Sequence, residues 1–228
     1  MTTKYGDSFY DNQAAGSIQS AVKTFAVLKD FVGTPSSVVD FGCGAGGWLA
    51  AARKVLGTET ILGIESQPNS YQEGVIGKEN VQFQDLSQPV KLDRRFDLAL
   101  SLEVAEHLPE EKATTFVKSL TAASNKVFFS AALPHQGGVG HVNERWPSYW
   151  VEKFAAEGYE LFDVVRPIIW DDPEIAYWYR QNAMLFSNEP LDITYDAADW
   201  GGRSFVHYDH INKKTKSFVD RVKFAFGW

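Results

Sequence analysis

Between Ser17 and Phe31, the residues Ile18, Ala21, Val22, Phe25, Leu28 and Lys29 recur at helical spacing, which predicts an amphipathic helix over 17–31. Gly33-Thr34-Pro35 ends it. Short apolar runs then alternate with mixed stretches. Strands are predicted at Val38–Phe41, Ile61–Glu65, Val81–Leu86, Phe96–Leu102 and Val127–Leu133, with two more at Tyr159–Val165 and Ala183–Ser187. Trp48–Leu56 and Glu110–Ala123 read as helices between them. Strands alternating with helices predict a mostly parallel sheet covered on both faces. No repeat, low-complexity tract or long linker interrupts the pattern. Residues 1–187 therefore read as one domain, and 188–228 as an extension packed on it. The extension is polar and aromatic, and its pattern assigns no element. Its Lys213, Lys214 and Lys216 read as a solvated helix face.

Composition narrows the classes. The chain has 228 residues, 44% hydrophobic and 22% charged, as in a globular domain with a sizeable core. A net charge of −7 speaks against gripping long nucleic acid through its phosphates. Met1–Ser17 is too polar for a signal peptide, and no apolar run approaches the roughly 20 residues that span a bilayer. A single cysteine, Cys43, excludes an internal disulfide and suits a reducing cytoplasm. The seven tryptophans concentrate after Arg145, as a pocket wall, a lid or an aromatic core would require.

Candidate chemistry begins after the first strand, because open α/β sheets bind ligands at the carboxyl ends of their strands. Gly42-Cys43-Gly44-Ala45-Gly46-Gly47 lies there and satisfies G-x-G-x-x-G. That match alone does not separate a dinucleotide from another nucleoside. Three acids do. Asp40 precedes the first glycine, where a pyrophosphate has no use for a carboxylate but a cationic amino-acid group has. Glu65 closes the second strand, placed to take both ribose hydroxyls. Asp85 closes the third, placed to accept from an adenine amino group, with Leu86 beside it. Together they favour S-adenosylmethionine over NAD. Cys43 occupies a small apolar position within the loop and reads as structural.

The order VVDFGCGAGGW, ILGIE, VQFQDL and FDLALSLEVAEHLP resembles class I methyltransferases over Val38–Pro109. The resemblance implies a Rossmann-like, seven-stranded sheet with its last strand antiparallel. It also implies cofactor contacts at Asp40, Gly42, Gly44, Glu65, Asp85, Leu102 and Glu103.

Glu103, Glu106 and His107 follow the fourth strand. A helical turn beginning at Glu103 would put all three on one face. Two carboxylates and an imidazole make three-quarters of a divalent-metal site for Mg, Mn or Zn. The pattern is similar to that of ubiquinone-pathway O-methyltransferases and small-RNA ribose 2′-O-methyltransferases, in which a later histidine completes the metal set. His135 and His141 are the candidates, with His141 favoured by its polar neighbours Asn143 and Glu144. The cluster admits three roles: a Lewis-acid metal at Glu103, Glu106, His107 and His141; a metal-free base at His107 or His141; or a helix cap near the cofactor.

GHVNERWPSYWVEKF and RPIIWDDPEIAYWYRQN, with EVAEHLP, resemble bacterial methyltransferases encoded beside glycosyltransferases and surface-polysaccharide genes. That resemblance implies a sugar hydroxyl as acceptor. Trp146, Trp150, Trp170, Trp178 and Tyr179 offer stacking faces, and Asn143, Arg145, Arg180, Gln181 and Asn182 offer hydrogen bonds. A quinone, a natural product or an RNA ribose are alternative acceptors. A dehydrogenase and a non-catalytic cofactor-binding subunit are the competing classes.

Overall fold

The computed structural model describes residues 7–66, 73–191 and 204–226. Seven strands form one sheet: β1 (Ser37–Phe41), β2 (Thr60–Glu65), β3 (Val81–Phe83), β4 (Leu98–Leu102), β5 (Lys126–Ser130), β6 (Glu160–Phe162) and β7 (Met184–Ser187). Their spatial order is β3-β2-β1-β4-β5-β7-β6. The first five pair in parallel, and β7 runs antiparallel between β5 and β6. The expected architecture is therefore present. The order in which strands are added reverses between β1 and β4, where such sheets hold ligands.

Helices cover both faces: α1 (Asp7–Val32), α2 (Gly47–Ala51), α3 (Glu73–Ile76), α4 (Ala113–Ala123), α5 (Pro147–Ala156), α6 (Arg166–Ile169), α7 (Tyr177–Asn182) and α8 (Tyr208–Phe226). The central strands are buried on both sides, so consecutive residues feed opposite cores. Val38, Leu98, Leu100 and Phe128 pack with Phe25, Leu28 and Leu49 of α1 and α2. Val39, Ala99, Val127 and Phe129 pack with Phe116, Leu120, Trp150 and Phe154 of α4 and α5. Phe154 stacks on Phe186 of β7 at 4.0 Å. No helix of the described residues is long and apolar enough to cross a membrane.

Several elements differ from their expected limits. The first helix runs from Asp7 to Val32, starting well before the predicted Ser17. The stretch 48–56 is α2 followed by a π turn, Ala52–Leu56. The strands at 81, 96, 127 and 159 are each shorter than their apolar runs. The surplus residues, Leu86, Ala131, Ala132, Leu133 and Val164 among them, are buried in loops beyond the strand ends. Apolarity reports burial there, not strand. Of the tail, residues 192–203 and 227–228 lie outside the described residues.

Candidate active site

The glycine loop follows from the tight exit of β1. Gly42, Gly44 and Gly46 have φ of 83°, 52° and 81°, a region that side chains resist. A Cβ on Gly42 would lie 2.5 Å from Cγ2 of Val104, and one on Gly46 2.7 Å from Cγ1 of Ile76. The loop is laced to β2. The Gly42 N–H donates to the Ile64 carbonyl at 2.7 Å, and the Gly44 N–H donates to Oε2 of Glu65 at 2.9 Å. Oε1 of Glu65 accepts from the Ser66 N–H at 2.8 Å. Asp40 is buried at the end of β1. Burial, and then the charge of Glu65, push its carboxyl up to about 7. A buried carboxyl held near neutrality is a ready partner for a cationic group. The open backbone and paired acids thus fit a cationic nucleoside cofactor better than an anionic one.

The neighbouring candidates fall differently. The Cys43 thiol packs against β2, where a Cβ on Gly63 would meet its Sγ at 2.5 Å, and burial pushes its pKa up. It is a packing residue. Asp85 lies two residues past β3 and is exposed. Its Oδ1 accepts from the Ser87 N–H at 2.9 Å, and hydrogen bonding to Ser87 holds its pKa down. Leu86 is buried in the core on the α4 side. Leu102 is buried at the end of β4.

Glu103 departs from expectation. Its φ is 58°, left-handed for a residue with a side chain. It therefore does not begin a helical turn, and the short 3₁₀ turn starts later, at Ala105–His107. Its N–H is held by Ser130. Its carboxylate accepts from Nε2 of Gln136 at 2.7 Å and from Nδ2 of Asn182 at 3.0 Å. Burial raises its pKa against these bonds.

The structure brings together Glu106, His107 and His141, whose candidate ligand atoms all lie within 4.8 Å of one another. Glu103 is outside this group. Glu106 is fully buried, and neither of its carboxylate oxygens has a hydrogen-bond partner. Burial, and then the charge of Glu103, hold it well above the usual carboxylate range. Its backbone carbonyl accepts the N–H groups of Val142 and Asn143 at 2.9 and 3.0 Å, tying the loop after β5 to the turn after β4. The rings of His107 and His141 meet edge to face at 4.8 Å. Burial and His141 lower the pKa of His107. Nδ1 of His141 contacts Oε1 of Glu144 at 2.9 Å, which leaves Nε2 3.9 Å from Oε1 of Glu106. A carboxylate that orients an imidazole is the usual support of a metal-bound histidine. An orphaned buried carboxylate beside two imidazoles is a donor set that a divalent cation completes. His135 stands apart, with φ of 67° and its N–H bonded to Glu144.

Most of the expected acceptor contacts are engaged inside the fold. Trp150 and Tyr179 are core residues. Gln181 and Asn182 are buried, and both donate to Oε1 of Gln136 at 3.2 and 2.9 Å. Arg180 pairs with the Trp170 carbonyl at 3.0 Å and with Asp209 at 2.6 Å. Arg145 bonds Asn143 and Glu110. Only Trp146 of the expected aromatic faces is broadly exposed. Sequence reasoning missed Gln136 and His207. Gln136 joins Glu103 to α7, and the His207 N–H donates to Oε1 of Gln181 at 2.8 Å, joining α7 to the segment before α8. No spacing rule reveals a network of neutral amides.

A family described as a methyltransferase domain matches residues 10–165. The sugar N-methyltransferase KedS8 from a Streptoalloteichus species is 14% identical, with a TM-score of 0.60 over 83% of this chain and 98% of that one. CalS10, an amino pentose methyltransferase from Micromonospora echinaspora solved with S-adenosylmethionine, is 12% identical, with a TM-score of 0.60 over 83% of this chain and 100% of that one. The methyltransferase domain of bacterial CtHen1 is 20% identical, with a TM-score of 0.53 over 75% and 98%. These likenesses show the fold. No curated protein matches.

Proposed function

This chain belongs to the methyltransferase-domain family, as an S-adenosylmethionine-dependent enzyme, and we propose that it methylates a hydroxyl of a saccharide or glycan precursor. The observation that carries the choice of oxygen is the buried Glu106 with His107 and His141 beside it. An amine acceptor needs only to arrive unprotonated. A sugar hydroxyl must lose a proton, and that requires a base or a Lewis acid. KedS8 is a sugar N-methyltransferase and CalS10 an amino pentose methyltransferase, which supports a saccharide acceptor.

S-adenosylmethionine supplies a methyl group already activated on sulfonium. The protein's task is then alignment and proton removal. The backbone at Gly42 and Gly44 forms the floor for the cofactor. Asp40 meets its cationic amino-acid end, and Glu65 its ribose. Asp85 and Leu86 border the adenine, and Leu102 and Glu103 close the side towards the acceptor. Glu106, His107 and His141 would hold a divalent cation (Mg, Mn or Zn), which lowers the pKa of a bound alcohol. Without it, His107, whose pKa is lowered by desolvation and by His141, can take the proton itself.

The test is direct. Purified protein should bind S-adenosylmethionine and S-adenosylhomocysteine by calorimetry, and should transfer radiolabelled methyl to one of a panel of saccharides, quinones and RNA oligomers. Labelling of an RNA ribose or a quinone alone would overturn the saccharide assignment. Full turnover in excess chelator, with Glu106→Ala harmless, would exclude the metal.

A further inference from the structure

In the loop after β5, Gly138 lies against the imidazole of His141. A Cβ placed on Gly138 would stand 2.1 Å from Nε2 of that ring, 2.4 Å from Cε1 and 2.7 Å from Cδ2. These three atoms are the outer edge of the imidazole, and Nε2 is the nitrogen 3.9 Å from Oε1 of Glu106. Gly140 borders the second imidazole, since a Cβ there would stand 3.6 Å from Nδ1 of His107. Gly137 and Gly140 have left-handed φ of 73° and 80°, whereas Gly138 between them has a backbone that any residue adopts. The missing side chain at Gly138 therefore answers to space and not to backbone.

The loop is pinned on both sides of these glycines. The N–H groups of His135 and Gly137 donate to Glu144, at 2.7 and 2.6 Å. Those of Val142 and Asn143 donate to the Glu106 carbonyl, at 2.9 and 3.0 Å. Between the pins, the N–H groups of Gly138, Val139, Gly140 and His141 make no hydrogen bond to any described residue. Residues 137–140 are all exposed, Val139 at 49%. The groups they border are not: the Glu106 side chain is 0% and that of His141 12% exposed. A short exposed segment without internal bonds, with a left-handed glycine at each end, opens at small cost in free energy.

We infer that residues 137–140 form a hinged cover over Glu106 and His141, and that Gly138 is the positioning residue that lets it shut. Shut, the cover holds the imidazole beside Glu106 and keeps water from the pair. Open, it bares Nε2 to an entering acceptor hydroxyl. With a fully buried Glu106 on one side of Nε2 and Gly138 against the ring edge, an acceptor coming from solvent meets that nitrogen only when the cover moves. Gly137 and Gly140 absorb the rotation, while the bonds to Glu144 and to the Glu106 carbonyl keep the flanking chain in place. The inference rests on the reading of Glu106, His107 and His141 as the groups on the acceptor side.

The experiment is acylation of the full chain with diethylpyrocarbonate, which modifies accessible neutral imidazoles, followed histidine by histidine by peptide mass spectrometry. Exposed His135 is the internal reference. In the wild type His141 should react roughly tenfold more slowly than His135, because it reacts only from the open fraction. Gly138→Ala cannot shut over the ring, so His141 should then react about as fast as His135. In urea unfolding, Gly138→Ala should lower the midpoint of the wild type but not that of His141→Ala, in which the clashing ring is gone. Equal rates at His141 and His135 in the wild type would overturn the inference. So would a His141 rate unmoved by Gly138→Ala, or the same loss of midpoint in both backgrounds. Neither measurement uses turnover or a metal. Failure here therefore leaves the reading of Glu106, His107 and His141 standing, and full turnover of Glu106→Ala would sink that reading without touching the cover.

Discussion

Oε1 of Glu144 lies 2.9 Å from Nδ1 of His141. The same carboxylate accepts the N–H groups of His135 and Gly137, at 2.7 and 2.6 Å, so its position is fixed by the loop it sits in. It holds the imidazole with Nε2 towards Glu106. Glu144→Ala should therefore weaken divalent-metal binding by roughly 10- to 100-fold, read by calorimetry with Mn²⁺, while leaving cofactor affinity unchanged. An unchanged Mn²⁺ affinity would remove His141 from the metal set.

Asp40 makes cofactor binding pH-dependent. Its carboxyl is raised to about 7 by burial and by Glu65. A raised acid stabilises the fold fully below its ordinary value of 3.8, and this contribution is lost as pH climbs through about 7. A cationic ligand favours the ionised form instead. Binding of S-adenosylhomocysteine at pH 6 should then release close to one proton, and affinity should fall by up to tenfold per unit as pH drops below about 7. Calorimetry in buffers of different ionisation heat counts the proton. Asp40→Asn should abolish both effects, and a wild-type protein that releases none at pH 6 would show that the cofactor's cation lies elsewhere.

The strand-end placement of the proposed cofactor residues was legible because it is local. Asp40, the glycines and Glu65 sit at strand ends, and strand ends follow from apolar runs. The acceptor half was legible only in its residue types. Glu103 fell out of the cluster because its left-handed backbone, φ 58°, breaks the helical spacing on which the grouping relied. His141 could be singled out by polar neighbours, yet its contact with Glu106 depends on two backbone bonds from Val142 and Asn143 that no periodicity encodes. Asp85 missed its strand end because β3 stops at Phe83, an exposed edge where few contacts extend pairing. Gln181 and Asn182 read as hydrogen-bonding groups for the acceptor, because burial by a distant segment such as 204–210 leaves no trace in local pattern.

Cys43 and Gly63 should behave as one packing unit. A Cβ on Gly63 meets Sγ at 2.5 Å and the cysteine Cβ at 3.0 Å. Gly63→Ala should destabilise the fold by about 1–3 kcal/mol and weaken cofactor binding by shifting the glycine loop. Cys43→Ala should be close to neutral for turnover, and added to Gly63→Ala it should recover part of the lost stability in urea unfolding. Complete loss of turnover in Cys43→Ala, with cofactor binding intact, would instead make the thiol a nucleophile.

Glu103 offers a test in which the usual order of two small residues is inverted. Its φ of 58° costs a side-chain-bearing residue roughly 1–2 kcal/mol. The carboxylate also satisfies Nε2 of Gln136, which has no other acceptor among the described bonds, and shares Nδ2 of Asn182 with Gln136. Glu103→Ala keeps the strain and orphans a buried amide, so it should lose about 1–3 kcal/mol. Glu103→Gly orphans the same amide but relieves the backbone, so it should be more stable than the alanine variant by about 1 kcal/mol. At an ordinary position glycine is the less stable of the two. Both variants should lose turnover, since neither restores the carboxylate. Urea midpoints in the order wild type, glycine, alanine are therefore expected. Alanine above glycine would mean that the left-handed conformation at Glu103 carries no strain for a side chain.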